Sequence, residues 1–361
     1  MGINVNERDI TFAEAWSLGV DTQFIDLRTP AEFKEGTIPG AVNVPIFTNE
    51  EREEVGTIYH QASPAAARRK ALEIVSPKIP ELVARIEQAS MNQVPILFCW
   101  RGGMRSKGLS SILEMMKMPY YRLRDGYKGF RKYIREYLDN YRLTGPLVVL
   151  HGYTGVGKTE ILQRLQAWGH PVIDLEGLAG HRGSAFGAIG LGEPPGQKIF
   201  DVSLWQELEH HRGAPYLLIE AESRRIGKVV IPDFLIDERE NGINLLLEAP
   251  MAKRVANLLQ EYRQEHGKEE FKAACLAALN RIQKRLVRKA GRKGLEEARR
   301  AVEEARWRFV TAFLLENYYD PLYQHSHEQY ADFAEVVDAS DIEAAARKIA
   351  GILADRFGSA S

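Results

Sequence analysis

The sequence predicts an α/β protein with two parallel-sheet domains followed by an α-helical extension. Two observations carry this prediction: a short apolar strand leads into Cys99-Trp100-Arg101-Gly102-Gly103-Met104-Arg105-Ser106, and another leads into Gly152-Tyr153-Thr154-Gly155-Val156-Gly157-Lys158-Thr159. Helical spacing follows both loops, and strands that alternate with helices are typical of parallel sheets. At 361 residues, the chain is too long for one ordinary core and fits two domains plus an extension.

Composition narrows the class of protein. Apolar residues make up 45% and charged residues 27% of the chain, as in soluble globular proteins, and the formal charge of −1 gives no global reason to expect nucleic acid. Only two cysteines occur, so a disulfide framework is not expected and a reducing cytoplasm is the expected compartment. The polar start of the chain and the absence of a long apolar run predict neither secretion nor a membrane span.

The N-terminal domain is predicted from residues 1–124. Residues 23–28 have the pattern of a short buried strand, and Thr29-Pro30 marks the start of a helix. Residues 36–45 are predicted as a loop leading into a second short strand, followed by a charged region and by one helix over about 65–89. Residues 95–98 are an apolar strand that ends at Cys99, and helical spacing resumes over 106–116.

Cys99 is the candidate nucleophile of this domain. A loop between a strand and a helix N-terminus attracts anions, because backbone N–H groups and the helix dipole favour negative charge there. The same setting makes a thiolate available for attack. Arg101 and Arg105 are expected to neutralise the thiolate, an incoming anion, or both. The plainer alternatives are an inert buried thiol and solvated surface arginines.

The second domain begins after a connecting helix. Residues 125–145 are predicted as that helix and linker, with Thr144-Gly145-Pro146 ending the helical pattern. A strand over 147–150 then leads into the G-x-x-x-x-G-K-[ST] phosphate-loop pattern, and a helix is expected over 159–168. The loop backbone with Gly152, Gly155 and Gly157 would cradle phosphates, Lys158 would reach the terminal phosphate, and Thr159 is the candidate Mg²⁺ ligand.

Further candidate residues follow other strands of this domain. A phosphate loop needs a second acid on a neighbouring strand, and Glu220 at the end of strand 216–220 supplies it, with Glu222 on the same face. Residues 171–176 are interpreted as a strand ending in acids, and they precede a glycine-flanked loop in which His181 and Arg182 are candidate substrate contacts. Residues 236–239 and 243–248 are interpreted as further strands, completing a domain over 146–250.

The C-terminal region, 251–361, is predicted to be helical and basic. Residues 251–300 contain fourteen Lys or Arg against six Glu. At helical spacing one face carries four arginines: Arg281, Arg285, Arg288 and Arg292. A stripe of one sign this long favours contact with a phosphate backbone such as that of tRNA over a solvated face. Cys275 lies in an Ala-rich helix and is interpreted as a packed small hydrophobe.

Residues 10–130 resemble the rhodanese superfamily. The resemblance rests on Asp26-Leu27-Arg28, on Ile38-Pro39-Gly40-Ala41-Val42-Asn43 and on the Cys99 loop. One departure concerns the spacing, since five residues separate Cys99 from Arg105 where most sulfurtransferases of this fold have four. The wider loop is similar to that of the phosphatase branch, which cradles a tetrahedral anion, and selenophosphate would also suit it.

Nearly the whole chain resembles the bacterial tRNA 2-selenouridine synthase family, through the Cys99 loop, the phosphate loop, the loop at His181-Arg182-Gly183-Ser184 and the basic C-terminus. The resemblance implies replacement of sulfur by selenium in wobble 2-thiouridine of tRNA, through an S-geranylated intermediate. It implies geranyl diphosphate and then selenophosphate as co-substrates, no redox cofactor, and a selenophosphate-producing enzyme as a partner. Cys99 would bear selenium as a selanyl persulfide-type adduct, and the Lys158 loop would bind the diphosphate or a nucleotide.

Two other functions are compatible with the residues. One is a phosphatase or thiosulfate sulfurtransferase fused to a nucleotide-hydrolysing domain, which the five-residue spacing permits. The other is a regulatory RNA-binding protein in which nucleotide occupancy switches the conformation and Cys99 is idle. Turnover of p-nitrophenyl phosphate or thiosulfate without RNA would favour the first, and insensitivity to thiol alkylation would favour the second.

Overall fold

The computed structural model describes residues 8–182, 186–187, 189, 192–262, 269–322 and 333–358. The chain forms two compact units that divide between Leu138 and Asp139. Each unit contains a parallel sheet flanked by helices, which confirms the predicted α/β class. Within the described ranges, no helix is both long and apolar enough to cross a membrane.

The first unit contains, in its described part, a five-stranded parallel sheet. Its strands are β1 (Asp9–Ile10), β2 (Thr22–Asp26), β3 (Val42–Asn43), β4 (Val94–Phe98) and β5 (Tyr121–Leu123). They lie in the order β1-β5-β4-β2-β3. The helices around them are α1 (Phe12–Ser17), α2 (Pro30–Lys34), α3 (Asn49–Gln61), α4 (Pro64–Val75), α5 (Ile79–Ser90), α6 (Met104–Met115) and α7 (Gly126–Asn140). Strand β4 lies between β2 and β5, so the loop after it starts from the interior of the sheet.

Local sequence signals explain where several of these helices begin. Thr29 and Glu32 form a capping box at the start of α2, and Thr48 and Glu51 form another at α3. Each pair satisfies backbone N–H groups that the first helical turn leaves unpaired. Helix α7 packs in the first unit, where Phe130 and Ile134 are fully buried, and the division of the chain falls in its last turn.

The second unit contains a four-stranded parallel sheet among its described residues, in the order β11-β10-β6-β7. Those strands are β6 (Leu147–Gly152), β7 (Leu217–Glu220), β10 (Ile243–Glu248) and β11 (Glu335–Asp338), and a separate hairpin joins β8 (Arg225–Ile226) to β9 (Val229–Val230). The helices are α8 (Lys158–Ala167), α9 (Leu175–Ala179), α10 (Gln197–His210), α11 (Asp233–Glu240), α12 (Met251–Glu261), α13 (Glu269–Glu303), α14 (Trp307–Leu314) and α15 (Ile342–Phe357). A π-helical turn, Leu315–Tyr319, follows α14.

Two apolar cores hold this unit together. The sheet packs on α8 and α15 through residues such as Leu150, Leu162 and Ile349. Helices α12, α13 and α14 form a second core around residues such as Leu279 and Leu314. The phosphate loop follows the interior strand β6. It lies between residues of the sheet core and residues of the helical core.

Some elements differ from the sequence predictions. The single helix expected over 65–89 is two helices, α4 and α5, because Pro77 lies in the 3₁₀ turn Ser76–Lys78 between them. The charged region before it is itself helical, as α3. Residues 236–239 belong to α11 and not to a strand, and residues 171–176 contribute only one bridge, Val172 to Leu218.

The C-terminal region is largely helical, as predicted, with two exceptions. Strand β11 adds an edge to the sheet by pairing in parallel with β10. Helix α13 is broken at Gly291, whose φ of 72° and ψ of 175° are not helical. Arg292 follows this break, so the face predicted from uninterrupted helical spacing is continuous only for Arg281, Arg285 and Arg288.

Candidate active site

Cys99 lies in the loop between β4 and α6. Its side chain is only 3% exposed, and its Sγ is 3.3 Å from Ser106 Oγ in the first turn of α6. Helix α6 begins at Met104 without a side-chain cap, so its first N–H groups remain available to an anion. The strand–loop–helix placement expected for Cys99 is what the structure has.

Backbone contacts fix the shape of this loop. The Tyr127 N–H donates to the Cys99 carbonyl over 2.8 Å, and Arg122 Nη1 donates to the Gly102 carbonyl over 2.6 Å. Gly102 has a φ of +60°, and a Cβ there would lie 2.0 Å from the Arg124 carbonyl oxygen. No side chain fits at Gly102, because the loop backbone approaches the β5 end too closely.

A buried ion pair supports the Cys99 loop. Asp26 and Arg28 are 0% and 1% exposed and approach to 2.7 Å. The Arg28 guanidinium lies 3.8 Å from the ring centroid of Tyr127, which in turn contacts Trp100 of the loop at 5.7 Å between ring centroids. The Asp26-Leu27-Arg28 segment thus acts as a structural support of the Cys99 loop.

The two loop arginines have different surroundings. Arg105 forms a two-point ion pair with Glu32, with distances of 2.8 and 3.2 Å. Burial alone would raise the pKa of Glu32, but the hydrogen bonds and charge of Arg105, together with the Thr29 N–H and the charge of Arg28, lower it below its usual value. Arg101 is exposed. Of the two predicted anion ligands, Arg105 therefore already has a carboxylate partner.

The second loop, residues 152–159, has the backbone geometry of an anion cradle. Gly152, Gly155 and Gly157 have φ values of +150°, +81° and +100°, which only glycine adopts without strain. Lys158 begins α8, and its Nζ is 3.1 Å from the Gly152 carbonyl oxygen. The side chain thus curls over the loop, where it can meet a bound phosphate.

Residues of helix α12 hold the phosphate loop in place. Arg254 is 4% exposed; its Nε donates to the Thr154 carbonyl over 2.9 Å, and its Nη atoms contact both oxygens of Asp320 at 3.0 and 2.5 Å. Asn257 Nδ2 donates to the Gly155 carbonyl over 2.9 Å. Neither residue has a distinctive sequence signal, since Arg254 is only one of fourteen basic residues in its region.

Three carboxylates meet beside the phosphate loop. Single oxygen atoms of Glu176, Glu220 and Glu222 lie within 4.8 Å of one another. Glu220 is 1% exposed, and neither of its oxygens makes a hydrogen bond of normal geometry to the described residues. Thr159 Oγ1 lies 3.5 Å from Glu176 Oε2. Oxygen ligands of this kind suit Mg²⁺.

The carboxylates interact strongly with one another. Burial, followed by repulsion from the neighbouring carboxylates, raises the pKa of Glu176 to about 10 and that of Glu220 to about 8. Burial also raises the pKa of Glu222, while the charge of Lys158 opposes the shift. A divalent cation would favour the ionised form of all three groups.

The sequence predicts that Glu220 and Glu222 share a face, but it does not predict that Glu176 joins them. Glu176 was assigned to a strand end, whereas Asp174 actually caps α9 by accepting a hydrogen bond from Gly177 N at 2.7 Å. The cap turns the chain so that Glu176 faces the end of β7. The signal that could have found it is the D-x-x-G pattern, in which Asp precedes a short helix.

His181 and Arg182 lie at the border of this site, while Gly183, Ser184 and Ala185 fall outside the described residues. His181 Nδ1 is buried without a hydrogen-bond partner among them, and burial, then the charge of Arg281, lowers the pKa of His181. Arg182 pairs with Glu261 and lies over the ring of Tyr262 at 4.8 Å. The basic face of α13 therefore acts electrostatically on the predicted substrate loop.

The four predicted tRNA contacts are all exposed. Arg281, Arg285 and Arg288 share one face of α13, and Arg292 follows the break at Gly291. Between them lie apolar residues such as Ile282 and Leu286, which pack into the helical core. The arginines thus project from a helix whose opposite face is anchored.

Comparisons with known proteins agree with this two-unit description. Residues 145–350 match the family described as tRNA 2-selenouridine synthase AAA domain, and residues 13–136 match the Rhodanese-like domain. Similar curated relatives carry the name tRNA 2-selenouridine synthase. That of Pseudomonas syringae pv. syringae is 33% identical over 86% of this chain and 90% of its own length, and that of Sulfurovum sp. is 32% identical over the same shares. That of Nitrosomonas europaea is 36% identical over 67% of this chain and 64% of its own length.

The carboxylate cluster predicts a pH dependence of stability. A folded-state pKa raised above the unfolded value means that the folded protein binds more protons, so the free energy of unfolding falls as the pH rises from about 4.5 towards 8. Glu220→Gln should remove part of this fall and stabilise the protein at pH 8 by about 1 to 3 kcal/mol. Urea unfolding between pH 5 and 8 measures it.

Glu240→Gln is the matched control, since Glu240 is exposed at the end of α11. It should leave the pH profile unchanged. If the free energy of unfolding depended on pH in the same way in the parent and in Glu220→Gln, the raised pKa of Glu220 would be contradicted.

Proposed function

Because this chain belongs to the tRNA 2-selenouridine synthase family, a family of tRNA-modifying enzymes, we propose that it converts wobble 2-thiouridine into 2-selenouridine by way of S-geranyl-2-thiouridine. Geranyl diphosphate and selenophosphate are the proposed co-substrates, the latter supplied by a selenophosphate-producing enzyme. The observation that carries the proposal is the presence of two anion-cradling loops, one with a thiol and one with a lysine. A tRNA substrate supports a cytoplasmic location.

The first proposed step uses the phosphate loop. The sulfur of 2-thiouridine attacks C1 of geranyl diphosphate, the C–O bond breaks, diphosphate leaves with the electron pair, and the N3 proton of the base is lost to solvent. Lys158 and the loop N–H groups stabilise the charge that develops on the leaving group. Mg²⁺ held by Thr159 and the carboxylates of Glu176, Glu220 and Glu222 would neutralise further negative charge on the diphosphate.

The second proposed step uses the Cys99 loop. Alkylation turns the thiocarbonyl sulfur into a leaving group, so selenium can bond to C2 of the base while geranylthiolate departs with the electrons of the C–S bond. The Cys99 thiolate is proposed to attack phosphorus of selenophosphate, so that an S–P bond forms, the P–Se bond breaks and selenide leaves with the electron pair. Selenide then bonds to C2, and water releases phosphate from Cys99. The free N–H groups at the start of α6 and the exposed Arg101 support binding of a tetrahedral anion beside the thiol.

Lys158→Ala tests the first step. Removing one donor that stabilises a leaving group costs about 3 kcal/mol, so geranylation should slow about a hundredfold or more while 2-thiouridine persists. Single-turnover formation of S-geranyl-2-thiouridine, followed by mass spectrometry of nucleosides, measures it. Lys132→Ala, on the exposed face of α7, is the control, and a parent rate in Lys158→Ala would mean that the diphosphate binds elsewhere.

Cys99→Ala tests the second step. Selenation should be lost while S-geranyl-2-thiouridine still forms and accumulates, because the geranylation machinery lies in the other loop. The same nucleoside analysis reports both products, so the retained geranylation serves as the internal control for folding. A normal yield of 2-selenouridine would remove the thiolate from the mechanism.

The basic face of α13 is proposed to bind the tRNA backbone. Each phosphate contact contributes about 0.7 to 0.9 to the slope of log affinity against log salt. Replacing Arg281, Arg285, Arg288 and Arg292 with Gln should weaken tRNA binding and flatten that slope by up to about three units. Filter binding at several salt concentrations measures it.

Two further variants sharpen this test. Replacing Arg68 and Arg69, which are exposed on α4, with Gln should leave the slope of log affinity against log salt near that of the parent. Arg292→Gln alone separates the residue beyond the Gly291 break from the other three. An unchanged slope in the fourfold variant would make this face ordinary solvated surface.

A further inference from the structure

The start of α7 packs directly on the Cys99 loop. The Lys128 N–H donates to the Trp100 carbonyl over 2.9 Å, and a Cβ at Gly126 would lie 3.1 Å from the backbone nitrogen of Arg101. Helix α6 continues the chain after this loop, while α7 lies against the loop backbone. Residues of the loop and of the first turn of α7 are therefore neighbours on one surface.

Positive charge collects at this contact. Arg101 and Lys128 are both exposed, and within the part of the chain that the structure describes neither forms an ion pair. Residues 126–135 contain four Lys or Arg and no Asp or Glu, and Asp125, directly before the helix, pairs with neither cation. Neighbouring like charges repel each other. A bound polyanion would relieve this repulsion.

An aromatic side chain accompanies the two cations. Trp100 separates Cys99 from Arg101 in the chain, and its ring is half-buried. The ring centroid lies 5.7 Å from that of Tyr127, and the Arg28 guanidinium is 5.9 Å from it. These contacts fix the orientation of the ring, and its remaining surface is open to solvent. Single-stranded RNA is bound by this combination of cations for phosphates and aromatic rings for bases.

We propose that Trp100, Arg101 and Lys128 form a nucleotide subsite for the RNA strand that carries the base to be modified. The base next to the modified nucleotide stacks on Trp100, and the backbone phosphates contact the two cations. The subsite rests on the function proposed above, in which S-geranyl-2-thiouridine must reach Cys99. It adds to the contacts proposed for α13 a contact that positions the reacting nucleotide itself.

The placement of Lys128 favours RNA over a small anion alone. The N–H groups at the start of α6 and the guanidinium of Arg101 already suffice for one tetrahedral anion beside the thiol. Lys128 belongs to another helix and adds a charge outside that cradle. An extended polyanion can contact Lys128 while a small anion occupies the loop. Arg101 has several N–H donors, so it can contact both ligands.

Lys128→Gln tests the phosphate contact in the full-length protein. Selenation is measured with an anticodon stem–loop RNA that carries S-geranyl-2-thiouridine. The variant should raise the KM for this RNA about threefold or more and flatten the slope of log kcat/KM against log salt by about 0.7, because one contact to a single strand is lost. The kcat and the KM for selenophosphate should not change.

Lys117→Gln is the matched control. Lys117 is exposed and lies beyond the end of α6 that is remote from the Cys99 loop, so removal of its charge should leave every parameter at the parent value. An unchanged KM for RNA together with an unchanged slope in Lys128→Gln would overturn the proposal. A change confined to the KM for selenophosphate would also overturn it, since Lys128 would then serve the small anion.

A second measurement needs no turnover. In the Cys275→Ala chain, Cys99 is the only thiol, since the sequence has two cysteines. The stem–loop RNA should slow the reaction of Cys99 with iodoacetamide about fivefold or more. Trp100→Phe should keep this protection and Trp100→Ala should lose it, because a phenyl ring still stacks on a base. Equal labelling with and without saturating RNA would overturn the proposal even if Trp100→Ala failed to fold.

The outcomes separate the subsite from the proposed function. If RNA protects Cys99 from iodoacetamide while Cys99→Ala gives a normal yield of 2-selenouridine, the nucleotide subsite stands and the thiolate mechanism fails. If Cys99→Ala loses selenation while RNA leaves Cys99 unprotected and Lys128→Gln behaves like the parent, the mechanism stands and the subsite is overturned.

Discussion

The buried guanidinium of Arg254 is the interaction on which the second unit depends. It ties the phosphate-loop carbonyl of Thr154 to the carboxylate of Asp320, so one side chain joins the loop to two elements of the helical core. Breaking a buried pair by removing one partner costs about 3 to 5 kcal/mol, because the remaining charge stays uncompensated. The loop therefore keeps its anion-binding shape only when the C-terminal helices are packed. This makes the helical region a structural part of the phosphate site as well as a basic surface.

The charge balance of that site supports the proposal that an anion and a cation bind there together. Three carboxylates that share a buried cluster hold protons well above their usual pKa range, since burial and mutual repulsion disfavour their charged forms. Lys158 alone could not neutralise three ionised carboxylates and the proposed diphosphate. A divalent cation would resolve the conflict, because it would attract both the carboxylates and the phosphate oxygens. Its binding would release protons from Glu176 and Glu220.

The sequence predicts those features whose signal is local. The strand before Cys99, the phosphate loop before Lys158 and the helix start at Thr29-Pro30 each follow from a few neighbouring residues. The cluster of Glu176 with Glu220 joins residues 44 positions apart, and the contact of Arg254 with Thr154 joins residues 100 positions apart, so neither has a signature in one segment. The break at Gly291 was missed because the charge pattern continues through it, whereas only the backbone angles show that the helix stops.

The two loops reach anion binding by different physical routes. In the phosphate loop, a lysine and a glycine-shaped backbone lie beside a buried acidic cluster, which would suit the diphosphate ester and metal ion proposed above. At Cys99, Glu32 already neutralises Arg105, so positive potential comes from the start of α6 and from Arg101. Under the proposed function, a weaker cradle of this kind would suit a small tetrahedral anion that must give up its selenium and then depart. Tight binding of the spent anion would block the next turnover, so partial neutralisation of the loop by Glu32 would favour release.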